Sequence, residues 1–300
     1  MVETKIFDGR LAAQEIKEEL KKEASEMNLK PGLAVILVGS DPNSQSYVKQ
    51  KEKACQNLGW NFTLFNRNKS VNFKELEDLL KNLNQNPSIH GVILQLPLPE
   101  KLSPGHLLGL IDGKKDVDGL NPFSPLTPPT AQAVLHVLLK NKIRLQDAKV
   151  IVLGRGKTAG KPITEILKKR GAKVFVANSQ TPSLILNSHL LNSDVVISAV
   201  GKPNLITGGM IKEGAVVIGV GLSRETNSEQ RLASSDTELN LSTNQTNAKR
   251  STLNAHIVGD LNEPSLIGKA SLITPTPGGI GPLTVAFLLR NLLKAAQKDA

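Results

Sequence analysis

The sequence predicts an α/β protein organised around a doubly wound parallel sheet. Short runs rich in Val, Ile and Leu recur along the chain, and stretches with helically spaced apolar residues separate them. Runs without polar alternation suit strands buried on both faces, as parallel strands are, and right-handed crossovers then lay helices over both sides of the sheet. Aromatics make up only 3% of the 300 residues, so the core is expected to be aliphatic.

The elements follow in order. Between Leu11 and Met27, the residues Leu11, Ile16, Leu20, Ala24 and Met27 fall at helical spacing. Leu33 to Gly39 is a continuous apolar run, bounded by Pro31-Gly32 and by Ser40-Asp41-Pro42, and reads as a buried strand. Asn43 or Ser44 can cap a helix that runs through Leu58 and ends at Gly59. A weaker strand begins at Leu64, a short helix covers Phe73 to Leu83, and Gly91 to Leu96 is a strand stopped by Pro97. In the second half, Lys149 to Gly154 is a strand, followed by a glycine-bearing turn and a helix near Pro162 to Arg170. Lys173 to Ala177, Asp194 to Gly201 and Ala215 to Gly221 continue the series. Ser223 to Asn254 is rich in Ser, Thr, Asn and Gln, and is expected to be a mobile surface insertion between two strands, because it holds too little apolar surface to offset its ordering entropy.

The formal charge is +10, but Lys and Arg are spread along the chain among acids, with no basic tail and no interleaved aromatics. That pattern describes a solvated basic surface rather than a nucleic-acid interface. A single cysteine, Cys55, excludes an internal disulfide and a cysteine-based metal site, and the five histidines lie far apart, so no metal is expected. The N-terminus is charged and no window approaches a membrane span, which makes the cytoplasm the expected compartment and a membrane an unexpected partner.

Five segments carry candidate chemistry. Tyr47 and Lys51 are four residues apart in a predicted helix, so they emerge on one face, either as a site pair or as unrelated surface residues. Gln95 interrupts an apolar run at the carboxyl end of a strand, where open α/β sheets bind ligands; an amide satisfied by backbone is the equal alternative. Lys115-Asp116-Val117-Asp118-Gly119 fits simple turn chemistry, and also fits a carboxylate offered to the adjacent N–H donors of a pterin or purine ring. Gly154-Arg155-Gly156, followed by Gly160-Lys161-Pro162, joins a strand to a helix, where glycines admit a pyrophosphate. Its spacing is not the usual G-x-G-x-x-G. After the next strand comes Asn178-Ser179-Gln180-Thr181 with no acid to hold a ribose diol; with Arg155 nearby, a 2′-phosphate fits better, which favours NADP over NAD. Ile273 to Thr284 is dense in Pro and Gly: a rigid turn before the last helix, or a loop exposing backbone to a flat ligand.

Together these segments resemble the bifunctional methylenetetrahydrofolate dehydrogenase/cyclohydrolase family. The likeness rests on Tyr47-Val48-Lys49-Gln50-Lys51, Gln95-Leu96-Pro97-Leu98-Pro99, Lys115 to Gly119, Gly154-Arg155 with Gly160-Lys161-Pro162, Val258-Gly259-Asp260 and Gly279 to Thr284, in the family's order over nearly the whole chain. The resemblance implies two lobes around a cleft. One is an N-terminal catalytic, folate-binding domain (1–139) completed by the C-terminal helix (275–300). The other is a Rossmann-like dinucleotide domain (140–274) through which a homodimer forms. It implies oxidation of 5,10-methylene-tetrahydrofolate with NADP, NAD being possible, and hydrolysis of the methenyl product to the 10-formyl compound. Lys51 resembles the catalytic lysine of both steps, Tyr47 the residue that stacks on or orients the folate, Gln95 the lysine's hydrogen-bond partner, and Asp118 the pterin anchor. Leu96, Pro97, Pro277, Gly278 and Gly279 would contact substrate; Gly154, Arg155, Gly156, Ser179 and Leu222 would contact the cofactor. A lysine amine is a poor base at neutral pH until burial lowers its pKa, which agrees with the role given to Lys51.

The chain departs from the family in four places. The segment after Gly119 is short and its usual cysteine position is Pro129; Gly156 stands for a serine, Gly219 for an aspartate, and the polar insertion is long. A cyclohydrolase with weak or absent dehydrogenase activity is one alternative. Another two-lobed oxidoreductase, of the shikimate dehydrogenase kind, is a second, and leaves Gln95 and the Pro/Gly loop unexplained. A non-catalytic binding protein would need no such lysine and tyrosine.

Overall fold

The computed structural model describes residues 2–225 and 256–299. In chain order the elements of the first half are β1 (Lys5–Ile6), α1 (Gly9–Glu26), β2 (Gly32–Val38), α2 (Pro42–Leu58), β3 (Asn61–Arg67), α3 (Phe73–Gln85), β4 (Gly91–Leu94), α4 (Pro104–Gly109) and α5 (Pro129–Lys140). Then come β5 (Lys149–Leu153), α6 (Gly160–Lys168), β6 (Lys173–Ala177), α7 (Ser183–Asn192), β7 (Val195–Ser198), β8 (Val216–Gly219), β9 (Leu222–Glu225), β10 (His256–Gly259), α8 (Glu263–Leu266), β11 (Leu272–Ile273) and α9 (Ile280–Asp299). They form two compact units: one of residues 9–144, 157–166 and 281–300, the other of 1–8, 145–156 and 167–280.

The unit that contains α2 is organised on a three-stranded parallel sheet in the order β3-β2-β4. Every residue of central β2 is buried, as the continuous run predicts. Ala34, Ile36 and Val38 face one core with Leu76 and Leu80 of α3 and Leu107 of α4. Edge strand β3 begins three residues before the expected Leu64; it is exposed along much of its length, so its apolar signal is broken. Asp41, not Asn43 or Ser44, caps α2: its carboxylate accepts from the backbone N–H and hydroxyl of Ser44, both at 2.8 Å. Pro42 takes the first helical position, where a missing N–H is harmless. Gly59 ends the helix in the left-handed conformation (φ 70°). Helix α9 packs on this unit, with Arg290 paired to Glu19 of α1 and Gln297 to Glu23.

The other unit carries a six-stranded sheet in the order β1-β11-β8-β7-β5-β6, all pairs parallel. The chain leaves β5 outward to β6, then returns to β7 on β5's other side, so the strand order switches between β5 and β7, and the carboxyl ends of these two strands are where such sheets bind ligands. Ile151, Leu153, Val196, Val217 and Ile273 pack on one face with Leu190 of α7 and Leu266 of α8. Strands β7 and β8 are shorter than their apolar runs, which leaves Ala199–Gly201 and Val220–Gly221 as connections at the strands' carboxyl ends. The first eight residues go with this sheet rather than with the helix that follows: β1 pairs with β11, two short strands that the sequence pattern did not resolve.

The polar stretch requires a correction at its start. Ser223 to Glu225 are strand, not insertion, because β9 pairs antiparallel with β10 from Leu222↔Gly259 to Glu225↔His256. The remainder of the expected insertion, 226–254, lies outside the described residues.

Candidate active site

Helix α2 puts Tyr47 and Lys51 one turn apart, and Cys55 one turn further. Val48, Ala54 and Leu58 bury the helix against its sheet, while Tyr47 and Lys51 remain half-buried. Strand β4 ends at Leu94, and Gln95 is held at its carboxyl end by its backbone N–H, which donates to Ile36 O at 2.9 Å. The two elements meet at the side chains: the Lys51 ammonium donates to Gln95 Oε1 at 3.0 Å. Gln95 Nε2 donates to Leu96 O at 2.9 Å, which turns the amide so that its oxygen faces the lysine. The amide is therefore neither a mere backbone filler nor free to rotate. Leu96 and Pro97, joined by a cis peptide, continue past the pair, with Pro97 exposed. Cys55 is fully buried, and burial pushes its thiol up to about 12 against the opposing charge of Lys51, so it is inert beside the amine.

The Lys115–Gly119 segment lies along β4, bridged at Val92↔Asp116, with the Val92 N–H donating to Lys115 O at 2.8 Å. Its two acids differ in their surroundings. Asp118 is half-buried and reachable. Asp116 is 1% exposed; its Oδ2 accepts from the Asn121 backbone N–H at 2.7 Å, while its Oδ1 has no hydrogen-bond partner. Burial pushes this carboxyl up to about 6, against the lowering hydrogen bond from Asn121. Lys115 is buried as well and caps α3, donating to Asn86 O at 2.8 Å and Leu83 O at 3.2 Å. Helix capping thus accounts for Lys115 and turn chemistry for Asp116, while Asp118 stays accessible.

The short segment after Gly119 is firmly tied. Gly119 has φ 63°, and a Cβ there would stand 2.6 Å from Leu126 O. Asn291 of α9, 1% exposed, donates through Nδ2 to Val117 O and Thr127 O, both at 2.9 Å, and accepts from Gln132 Nε2 at 2.9 Å. One amide clamps both ends of the stretch that follows Asp118. Sequence reasoning missed this residue; the visible signal is an asparagine set among the apolar positions Leu288, Leu289, Leu292 and Leu293.

The remaining predicted residues lie in the six-stranded unit. Gly154 leaves β5 with φ 106°, and a Cβ on it would stand 2.5 Å from Ala199 O at the end of β7. Only glycine fits at this switch point. Gly156 has no such constraint: a Cβ there meets nothing within 4 Å, so the glycine in place of serine costs no packing. Arg155 and Gly156 are exposed. Ser179, also exposed, sits in a turn after β6 closed by the Asn178 N–H donating to Thr181 Oγ1 at 3.0 Å and the Gln180 N–H donating to Asn178 Oδ1 at 3.1 Å. Gly219 is matched to its place: a Cβ would stand 2.9 Å from Leu261 Cγ. Leu222 opens β9, exposed. The Pro/Gly loop is anchored by Glu263, whose carboxylate accepts from the Thr276 N–H at 2.6 Å, and Gly278 has φ 123°. Among the described residues, no group of three or more His, Cys, Asp or Glu side chains could hold a metal ion, and no helix is long and apolar enough to cross a membrane.

Two family models match the chain: tetrahydrofolate dehydrogenase/cyclohydrolase, catalytic domain, over residues 7–118, and tetrahydrofolate dehydrogenase/cyclohydrolase, NAD(P)-binding domain, over 128–300. The clamped segment falls between the two matches. A relative from Nautilia profundicola, named bifunctional protein FolD, is 37% identical over 307 residues, covering 98% of each chain. The crystal structure of the bifunctional FolD enzyme methylenetetrahydrofolate dehydrogenase/cyclohydrolase from Campylobacter jejuni is similar with a TM-score of 0.85 at 32% identity, covering 99% of this chain and 100% of that one. The Trypanosoma brucei methylenetetrahydrofolate dehydrogenase-cyclohydrolase, complexed with NADP cofactor and inhibitor, is similar with a TM-score of 0.88 at 31% identity and 99% coverage of both chains.

Proposed function

The chain belongs to the tetrahydrofolate dehydrogenase/cyclohydrolase family, and from that premise we propose that it oxidises 5,10-methylene-tetrahydrofolate with NADP+ and hydrolyses the methenyl product to 10-formyl-tetrahydrofolate. The observation that carries this reading is the Lys51 amine held 3.0 Å from the Gln95 oxygen at the carboxyl end of a buried strand. Among the alternatives raised by the sequence, the family membership favours the bifunctional enzyme.

Each site residue then has a task. Lys51 Nζ, as the free amine, takes the proton that the attacking water loses as its oxygen bonds to the methenyl carbon, a positively polarised centre supplied by the substrate itself. That proton passes to the substrate nitrogen released when one carbon–nitrogen bond breaks to leave the 10-formyl group. Gln95 keeps the amine aimed, because its own amide is tied to Leu96 O. Tyr47, one helical turn away, orients the flat ring, and Asp118 accepts its N–H donors. Asp116, through the Asn121 N–H, and Asn291, through Val117 O and Thr127 O, tie down the chain before and after Asp118. Leu96, Pro97, Pro277, Gly278 and Gly279 remain the proposed substrate contacts.

The residues at the switch point fit a dinucleotide. Gly154 admits no side chain, Gly156 leaves open space, and Arg155, Ser179 and Leu222 are exposed at strand ends. Bound there, NADP+ supplies the hydride acceptor. The Asn178–Thr181 turn offers hydroxyls and amides but no carboxylate, which supports a 2′-phosphate over a free ribose diol and NADP over NAD. A homodimer through this unit is supported by α7, which exposes Leu184 and Leu191 beside edge strand β6, where Phe175 stacks on His189 at 3.6 Å. A cytoplasmic location fits a chain whose one thiol is buried and unpaired.

The cyclohydrolase half is tested without nucleotide. Purified protein added to 5,10-methenyl-tetrahydrofolate should accelerate loss of the methenyl absorbance far beyond the buffer rate. A rate equal to buffer would remove that half of the function.

A further inference from the structure

We propose that Asp260 is a positioning residue for the dinucleotide, fixing the two connections that border the switch point of the six-stranded sheet; this rests on the dehydrogenase reading above. Asp260 follows β10 and is fully buried, 0% exposed. A buried carboxylate must be matched by donors, and three converge on it. Ser198, the last residue of β7, donates its hydroxyl to Oδ2 at 2.6 Å. The Val200 N–H donates to Oδ2 and the Lys202 N–H to Oδ1, each at 2.9 Å.

These three donors span the connection that leaves β7, and Ala199 lies between the first two. The Ala199 carbonyl is the atom against which Gly154 is packed, so whatever fixes residues 198–202 also fixes the wall of the glycine turn. The same carboxylate borders the connection leaving β8. A Cβ on Gly221 would stand 2.3 Å from Asp260 Oδ2 and 2.3 Å from the Gly201 nitrogen. The Val220 N–H donates to Ser198 O at 2.8 Å, which locks the two connections together. Leu222, a proposed cofactor contact, is the next residue after Gly221. One side chain therefore sets the exits of β7 and β8 while touching no part of the ligand itself.

Neither family motif nor periodicity assigns Asp260 a task, and the Lys51–Gln95 chemistry does not use it. Its effect should thus separate the two activities, because hydrolysis needs no dinucleotide. In Asp260→Asn the amide must turn its NH2 toward either Lys202 N–H or the Ser198–Val200 pair, placing donor against donor. Hydrogen bonds to charged groups are worth about 1.5–3 kcal/mol, roughly ten- to a hundredfold in affinity. The experiment measures KM for NADP+, equilibrium binding of NADP+ and nucleotide-free methenyl hydrolysis in wild type, Asp260→Asn and Ser198→Ala. The expected result is a KM and Kd for NADP+ raised at least tenfold in Asp260→Asn and about threefold in Ser198→Ala, with hydrolysis within twofold of wild type in both. Unchanged NADP+ constants, or both activities falling in proportion, would overturn the proposal. If Asp260→Asn yields no folded protein, Ser198→Ala decides by the same criteria. A wild-type protein that neither binds nor reduces NADP+ would instead refute the dehydrogenase reading on which the proposal stands.

Discussion

Replacing Lys51 by Met should reduce methenyl hydrolysis by roughly a thousandfold or more, within the range lost when a positioned acid-base group is removed. Methionine nearly preserves the length of the side chain and its apolar stem, so the α2 face stays packed. What disappears is the only group in the Lys51–Gln95 pair that can carry a proton. Gln95 loses the donor at 3.0 Å, but its amide remains tied to Leu96 O, and the strand end is undisturbed. Folate binding, which the account assigns to Tyr47 and Asp118, should change by less than an order of magnitude. Single-turnover hydrolysis, paired with equilibrium binding of a stable folate analogue, separates the two quantities. Hydrolysis retained in Lys51→Met would show that the proton leaves by another group.

The second large effect is expected at Gly154. Valine there must adopt φ near 106°, a conformation that a β-branched residue all but never takes, and its Cβ would press on Ala199 O from 2.5 Å. Strain of about 1–3 kcal/mol adds to a backbone clash that only movement of the β5 or β7 exit can relieve. Either movement deforms the proposed nucleotide turn. Gly154→Val should therefore lose at least a hundredfold in kcat/KM for NADP+, while nucleotide-free hydrolysis persists. Gly156→Ala is the internal control: its Cβ would meet nothing within 4 Å, so its NADP+ constants should shift only a few-fold. Equal effects of the two substitutions would remove the geometric argument.

Much of the fold was legible because parallel strands buried on both faces write themselves as unbroken β-branched runs. Val150–Leu153, Val195–Ser198 and Val216–Gly219 are of this kind, and each is buried throughout. Edge strand β3 was read late because its exposed residues interrupt the run, and β1 and β11, two residues each, carry no periodicity at all. The α2 cap was misplaced by two or three residues because Pro42 hides the true N-cap behind it. The candidate pair was visible as a suspicion: a lysine one turn from a tyrosine, and an amide breaking a strand. Only coordinates could join Lys51 to a residue 44 positions away. Residue type alone could not separate the two acids of the Lys115–Gly119 motif, and only the family resemblance singled out Asp118; burial, not identity, makes Asp116 a scaffold and leaves Asp118 accessible. Asn291 and Asp260 were illegible for a related reason. Their partners are 174 and 62 residues distant, and polar side chains in apolar surroundings declare a partner without naming it.

The central claim is that this chain transfers a hydride from a folate one-carbon unit and then opens the product with water. It is tested most directly by supplying purified protein with 5,10-methylene-tetrahydrofolate and either NADP+ or NAD+, in parallel. Reduced nicotinamide should accumulate together with 10-formyl-tetrahydrofolate, faster with NADP+ than with NAD+. No reduced nucleotide with either cofactor, from protein whose fold is intact by circular dichroism, would contradict it.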